Sequence, residues 1–99
     1  MGQRVSKSII QERKECYFCG KVLDLELHHC IYGTANRRLA DEDGLTVWLC
    51  FDHHRGRFGV HSDNVEKDNL LKRVAERAYL RHYKKTVDDF IKRYGKNYL

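Results

Sequence analysis

Hydrophobic and polar residues alternate over residues 22–28, where three leucines fall on one side of an extended chain and charged or imidazole side chains fall on the other. A period of two is typical of a half-buried strand. A second apolar run, residues 45–50, is rich in the β-branched and aromatic side chains that favour strands. The two runs are predicted to pair as a hairpin.

The segment between these two runs, residues 31–44, is long, polar and turn-prone. Loops of this length are usually functional or disordered, and a loop is predicted here. Its acidic residues, Asp41, Glu42 and Asp43, are expected to be solvent-exposed turn residues.

Helical periodicity begins near Asn64 and replaces the short, glycine-broken runs that precede it. Apolar residues then recur at intervals of three and four, which predicts an amphipathic helix over about residues 68–85. The sequence from Thr86 to Asp89 resembles a capping box, and Gly95 suits the end of a helix, so a second short helix is predicted between them. Together the patterns predict an α+β fold with C-terminal amphipathic helices.

The length and the charge distribution predict one domain with a basic end. The 99 residues contain no repeat, no low-complexity run and no proline, so a single domain over residues 1–99 is expected. Residues 1–63 would form its core and residues 64–99 a basic helical extension, because the second part holds 10 Lys/Arg against 5 Asp/Glu and the first holds 9 of each. A basic helical arm suits DNA, although proteins that bind no nucleic acid often have a similar balance.

The four cysteines are expected to be reduced thiols. Charged residues surround the apolar pair Ile9 and Ile10 near the N-terminus, so no secretory signal is expected there. No apolar stretch approaches the roughly 20 residues of a membrane span. A cytoplasmic protein is therefore expected.

Two pairs of metal-binding residues share a two-residue spacer. Cys16 and Cys19 are followed by a glycine, and this spacing lets both thiolates reach one tetrahedral Zn²⁺. Cys50 and His53 repeat the spacing at the end of the second predicted strand. A redox pair is disfavoured because no βαβ pattern surrounds the first two cysteines. The four residues are predicted to form a structural zinc site, with Cys30 as an open alternative to His53.

Four further histidines remain when one has completed the zinc site: His28, His29, His54 and His61. His28 and His29 end the first predicted strand, where adjacent side chains point to opposite sides, so different roles are expected for them. One can bind a divalent metal while the other acts as a base, because imidazole is the side chain best matched to proton abstraction near neutral pH. A second site is therefore predicted.

The order of these motifs over residues 16–61 resembles that of the HNH endonucleases, which insert a ββα-metal finger into DNA. The motifs are Cys16-x₂-Cys19, Leu27-His28-His29 and Leu49-Cys50-x₂-His53-His54. More narrowly, residues 28–33, Asn36-Arg37, residues 44–50, His53-His54 and residues 59–61 are similar to small phage proteins related to the recombination-enhancement nuclease. The resemblance implies a small ββα-metal finger with a zinc knuckle, and an endonuclease or nickase that hydrolyses phosphodiester bonds.

The resemblance also implies a role for each histidine. His29 would be the general base, and the catalytic divalent ion would be bound by His28, His54 and His61. His53 would then belong to the structural zinc. The implied cofactors are a structural Zn²⁺ and one catalytic ion, for which Mg²⁺, Mn²⁺, Ni²⁺ and Zn²⁺ are all candidates.

Two departures from the family pattern concern the second site. The family has an asparagine just before the second strand, where this chain has none, so Asn36 is assigned to orienting the His29 segment through a backbone contact. His61 follows His54 after seven residues rather than the family's shorter step, and glycines at 56 and 59 would let the chain bend.

Four arginines flank the predicted second site and are candidates for binding DNA phosphates: Arg37, Arg38, Arg55 and Arg57. DNA is the expected partner, with a phage or host recombination or packaging protein as a further candidate and the host-cell cytoplasm as the location. The alternative function is a non-catalytic, zinc-stabilised nucleic-acid-binding module. That alternative gives no reason for four additional histidines to cluster.

Overall fold

The computed structural model describes residues 7–57, 59–61 and 65–99 and shows a small mixed α+β protein. The elements, in chain order, are β1 (Leu25–His29), α1 (Asn36–Asp43), β2 (Thr46–Cys50), α2 (Phe51–His54), α3 (Val65–Tyr83) and α4 (Val87–Tyr94). Over the described ranges, no helix combines the length and the apolar character needed to cross a membrane. The predicted combination of a strand pair with C-terminal helices is confirmed.

The two strands form an antiparallel sheet in which Leu25 pairs with Cys50 and His29 pairs with Thr46. The first strand is shorter than the predicted run, since Val22 and Leu23 are 67% and 70% exposed. β2 ends at Cys50, so residues before Leu25 have no partner strand. The predicted start of the first strand is therefore wrong.

Helix α1 occupies most of the segment that was predicted to be a loop. It buries Ala40 completely and ends at Gly44, whose φ of 75° is the left-handed conformation that a glycine adopts without strain. The Gly44 N–H donates to the Ala40 carbonyl. Two acidic residues of the helix, Asp41 and Asp43, were expected to be solvent-exposed turn residues but are half-buried and buried, respectively.

Asp43 is one of these residues, and it anchors the C-terminal helices. Only 8% exposed, it accepts hydrogen bonds from Arg93 Nε at 2.6 Å and from the Tyr94 hydroxyl at 2.6 Å. The Tyr83 hydroxyl donates to the Asp43 carbonyl at 2.8 Å. The prediction that Asp43 is a solvent-exposed turn residue is wrong, because the side chains that bury it lie at least 40 residues further along the chain.

The two C-terminal helices agree with the sequence pattern. α3 begins a few residues earlier than predicted and buries Leu71, Ala75 and Tyr79. α4 begins after Thr86, whose hydroxyl accepts the Asp89 N–H while the Asp89 carboxylate accepts the Thr86 N–H, as in a capping box. Phe90 and Tyr94 of α4 pack against Tyr79, so both helices cover the same core.

Candidate metal centres

The first centre is formed by Cys16, Cys19, Cys50 and His53, whose ligand atoms all lie within 4.8 Å of one another. The Sγ atoms of Cys19 and Cys50 are 3.8 Å apart, and His53 Nδ1 lies 3.3 Å from Cys50 Sγ and 3.6 Å from Cys16 Sγ. Thiolates at about 2.3 Å from a tetrahedral ion are separated by about 3.8 Å. The cluster can therefore hold a metal ion such as zinc.

Two tight turns bring these four ligands together. In the first, the Gly20 N–H donates to the Cys16 carbonyl and the Cys16 N–H donates to the Lys21 carbonyl, both at 2.8 Å. In the second, Cys50 ends β2 and the single turn of α2 carries His53 back toward it. Both turns are thus short local structures, and each brings two ligands together across a two-residue spacer.

Cys16 and Cys30 are both buried, but their thiol pKa values are shifted in opposite directions. Burial raises the pKa of Cys16, but the backbone N–H groups of Cys50, Cys19 and Phe18 lower it by more, so its pKa lies below the usual thiol value. Cys30 is completely buried, and burial raises the pKa of its thiol. Cys30 is not part of the cluster, whereas His53 is. The alternative that was open in the sequence is thereby resolved in favour of His53.

The second centre consists of three histidines from different segments. The ligand atoms of His28, His54 and His61 lie within 4.8 Å of one another, and their ring centroids are 4.6–5.3 Å apart. His28 points inward from β1 and His54 ends α2, while His61 is exposed. The three rings therefore meet where the last residues of β1, the end of α2 and the segment after α2 come together.

A return of the chain onto α2 explains the seven-residue step from His54 to His61. The His61 N–H donates to the His54 carbonyl at 3.2 Å, and the Val60 N–H donates to the His53 carbonyl at 3.0 Å. A Cβ at Gly59 would lie 2.7 Å from the His54 carbonyl group, so the close approach requires glycine. The longer step is thus compatible with a common histidine cluster.

The donor atoms of this cluster fit a divalent ion. His28 is 1% exposed, and its Nε2 has no hydrogen-bond partner among the described residues. Burial lowers the pKa of His28 to about 3, and the neighbouring His54 and His61 contribute, so the ring is neutral and has a free lone pair. His54 Nδ1 lies 2.6 Å from Glu26 Oε1, which leaves Nε2 available. A carboxylate behind a histidine is the arrangement that commonly orients metal-ligating imidazoles.

His29, next to His28, has a carboxylate partner as well. His29 Nε2 lies 2.5 Å from Asp41 Oδ1 of helix α1. Asn36 was predicted to make a backbone contact with the His29 segment, but its side chain donates instead to the Tyr94 carbonyl at 3.1 Å. The prediction for Asn36 is corrected accordingly, because α1 turns Asn36 toward α4 and Asp41 toward β1.

A cleft of about 390 Å³ connects the three-histidine cluster with His29 and with two arginines. Its lining residues are Leu27, His28, His29, Tyr32, Arg37, His54, Arg55 and His61. Arg55 Nε also lies 3.1 Å from Glu26 Oε1. Of the predicted arginines, Arg38 pairs with Glu42 along α1, and neither Arg38 nor Arg57 lines the cleft.

Two carboxylates that contact histidines of the cleft were not predicted from the sequence: Glu26, which contacts His54, and Asp41, which contacts His29. Glu26 could have been found from the sequence, because it lies two residues before His28 in β1 and two residues of a strand at this spacing share a face. Asp41 could not, since its partner His29 is 12 positions away and the intervening segment was predicted to be a loop.

Comparisons with known proteins returned no relative. No family model, no curated protein and no solved structure matches the chain. The function of the cleft therefore has to be inferred from the chemistry of its own residues.

Proposed function

We propose that this protein is a metal-dependent DNA endonuclease or nickase of the HNH, or ββα-metal, type. The observation that carries the proposal is the cleft in which a three-histidine cluster, a fourth histidine held by a carboxylate, and two arginines converge. The order of the hairpin β1–β2 and helix α2 supports a ββα-metal finger, because two histidines of the cluster, His28 and His54, come from its first strand and from its helix.

In the proposed reaction, Arg37 and Arg55 bind phosphate oxygens of the DNA backbone through charge-assisted hydrogen bonds. His29 takes a proton from the water that attacks the phosphorus, since imidazole is suited to general-base catalysis near neutral pH. The carboxylate of Asp41 stays behind the ring and stabilises the positive charge that His29 acquires. Each of these roles is assigned to a side chain that lies in the cleft or contacts one that does.

His28, His54 and His61 are the residues that would hold the catalytic divalent ion. When bound there, the ion would supply Lewis-acid stabilisation of the negative charge that accumulates on the phosphate. Neutral imidazoles do not cancel the charge of an ion, and they suit Zn²⁺, Ni²⁺ and Mn²⁺ at least as well as Mg²⁺.

The experiment that tests the nuclease is nicking of supercoiled plasmid by the wild-type protein and by His29→Ala, with each divalent ion added separately. We expect metal-dependent nicking by the wild type and a decrease of about 10²–10⁴-fold in the variant, which is the usual contribution of a general base. His82→Ala is the matched control, because His82 is an exposed histidine of α3 outside the cleft.

Three results of this experiment distinguish a catalytic role of His29 from the alternatives. DNA binding and circular dichroism of His29→Ala should match the wild type, so that its loss of nicking is assigned to the chemical step. Equal nicking by both proteins would refute His29 as the base. DNA binding by the wild type without nicking under any ion would favour the zinc-stabilised binding module.

Glu26→Gln is expected to weaken binding of the ion at the histidine cluster by about 10–100-fold, the usual effect of removing a carboxylate behind a metal-ligating histidine. The amide loses the charge that holds His54 Nδ1–H and keeps Nε2 directed toward the other two rings. Calorimetric titration of the zinc-folded protein with Co²⁺ measures the affinity. Glu12→Gln, an exposed carboxylate outside the cleft, should bind as the wild type does, and equal affinities in all three proteins would exclude this role of Glu26.

A further inference from the structure

We infer that Asp41 is a positioning residue that fixes the tautomer of His29, so that Nε2 carries the proton and Nδ1 is the proton acceptor. The catalytic consequence rests on the proposed nuclease function, whereas the tautomer itself does not. Asp41 would thereby perform the orienting role that the resemblance to the HNH endonucleases assigned to Asn36.

The contact between the two side chains is short and sheltered. His29 Nε2 and Asp41 Oδ1 are 2.5 Å apart, and the side chains are 11% and 21% exposed. An ionised carboxylate can only accept a hydrogen bond, so the hydrogen between these atoms belongs to Nε2. In a neutral imidazole the other nitrogen is then an acceptor, and His29 lines the cleft where this acceptor is needed.

The position of Asp41 is fixed by the rest of helix α1. Two residues along the same helix, Asp43 accepts hydrogen bonds from Arg93 and Tyr94, and at the beginning of the helix Asn36 donates to the Tyr94 carbonyl. Both ends of α1 are therefore held by α4. The C-terminal helices thus have a role in the site that their basic charge does not suggest, because they hold the helix that carries Asp41.

The proton transfer that this tautomer permits is balanced. One proton of a water moves to His29 Nδ1, while the water oxygen forms a new bond to phosphorus and the bond from phosphorus to the 3′ oxygen breaks. The leaving oxygen takes a proton from solvent water, and the imidazolium returns its proton to the resulting hydroxide. Asp41 keeps its hydrogen bond to Nε2–H throughout and does not itself become protonated.

Asp41→Asn is the most specific substitution for this role. The amide has nearly the same shape, but its NH₂ group can donate to Nε2 and so favours the tautomer with the proton on Nδ1. In a serine protease triad, the same change behind a catalytic histidine lowers kcat by about 10⁴ through the wrong tautomer. We expect kcat for nicking to fall by about 10²–10⁴-fold, with KM and the melting temperature unchanged.

The test combines this kinetic measurement with NMR of the His29 ring nitrogens in the zinc-folded protein. The wild type should show the proton on Nε2, and Asp41→Asn should move it wholly or partly to Nδ1. Glu42→Gln is the matched control, since it makes the same carboxylate-to-amide change on the next residue, and it should leave both the tautomer and kcat unchanged.

The wild-type spectrum tests the inference even if Asp41→Asn does not fold. A wild-type His29 with its proton on Nδ1 would overturn it, and so would an Asp41→Asn variant with the wild-type tautomer and wild-type kcat. If the wild type shows the expected tautomer and the variant reverses it, but neither protein nicks DNA, the positioning role stands and the nuclease proposal fails.

Discussion

Replacement of Cys50 by serine is expected to unfold the protein. Cys50 ends β2, pairs with Leu25 of β1 and supplies one of the four ligands of the first centre. Structural zinc sites contribute about 10–16 kcal/mol of binding free energy to folding, which is as large as the whole stability of a typical domain, about 5–15 kcal/mol. A chain of 99 residues has a small core and little stability to spare. Far-UV circular dichroism and zinc content of Cys50→Ser measure the effect.

Cys30→Ala is the matched control for the zinc centre. Cys30 is as buried as Cys50 but lies outside the cluster, so its loss removes one sulfur atom from the core and no ligand. The variant should keep its zinc and its helical signal. If Cys50→Ser remained folded with a full complement of zinc, the assignment of a folding role to the first centre would be wrong.

Replacement of His54 by alanine is expected to abolish nicking and leave the fold intact. His54 contacts both other histidines of the second centre and is the one held by Glu26. The wild type should bind two ions per chain and His54→Ala only one. Lewis-acid stabilisation contributes several kcal/mol, so we expect nicking to fall by at least about 10³-fold. Mass spectrometry under native conditions and the plasmid assay measure the two quantities.

His53→Ala provides a sharp contrast, because it makes the identical substitution one residue earlier in the same helix. His53 belongs to the first centre and His54 to the second. His53→Ala should lose zinc and melt at a much lower temperature, whereas His54→Ala should melt as the wild type does in the absence of the second ion. Similar effects of the two substitutions would show that the first centre does not serve folding alone and the second centre does not serve nicking alone.

The four residues of the first centre could be grouped from the sequence because their signals are local. The grouping of His28, His54 and His61 came only from the resemblance to the HNH endonucleases. Two-residue spacers hold Cys16 with Cys19 and Cys50 with His53, and tight turns of this kind depend little on the rest of the fold. The choice between His53 and Cys30 required the structure, since it depends on the direction in which α2 leaves β2.

Helix α1 could not be predicted from its own residues. Its sequence has only Leu39 and Ala40 as apolar residues, so it carries almost no helical periodicity. It is held instead by Asp43, whose partners Arg93 and Tyr94 lie 50 and 51 residues away in the sequence. Because α1 was predicted to be a loop, Asp41 was assigned to solvent. The orienting role was given to Asn36 because the HNH resemblance calls for an asparagine, and Asn36 is the only one between the two histidine clusters. The C-terminal helix, by contrast, was predictable because Thr86 and Gly95 mark its ends locally.

The exposure of Val22 and Leu23 shows that the alternation of hydrophobic and polar residues does not determine where a strand begins. Alternation predicted that the strand begins at residue 22, but a strand also needs a partner at each position. The partner β2 ends at Cys50 because α2 begins at the next residue. The length of the strand pair was therefore limited by the start of α2 rather than by the hydrophobic pattern.

The separate roles of the two centres are tested most directly by measuring plasmid nicking as a function of the number of metal ions bound per chain. Protein folded with one equivalent of zinc is supplied with increasing Mn²⁺, Ni²⁺ or Co²⁺, while circular dichroism and plasmid nicking are recorded on the same samples. We predict that the fold is complete after the first equivalent and that nicking begins only with the second. Full nicking with a single ion per chain, or none when both centres are filled, would contradict a nuclease in which one ion stabilises the fold and the other serves the chemistry.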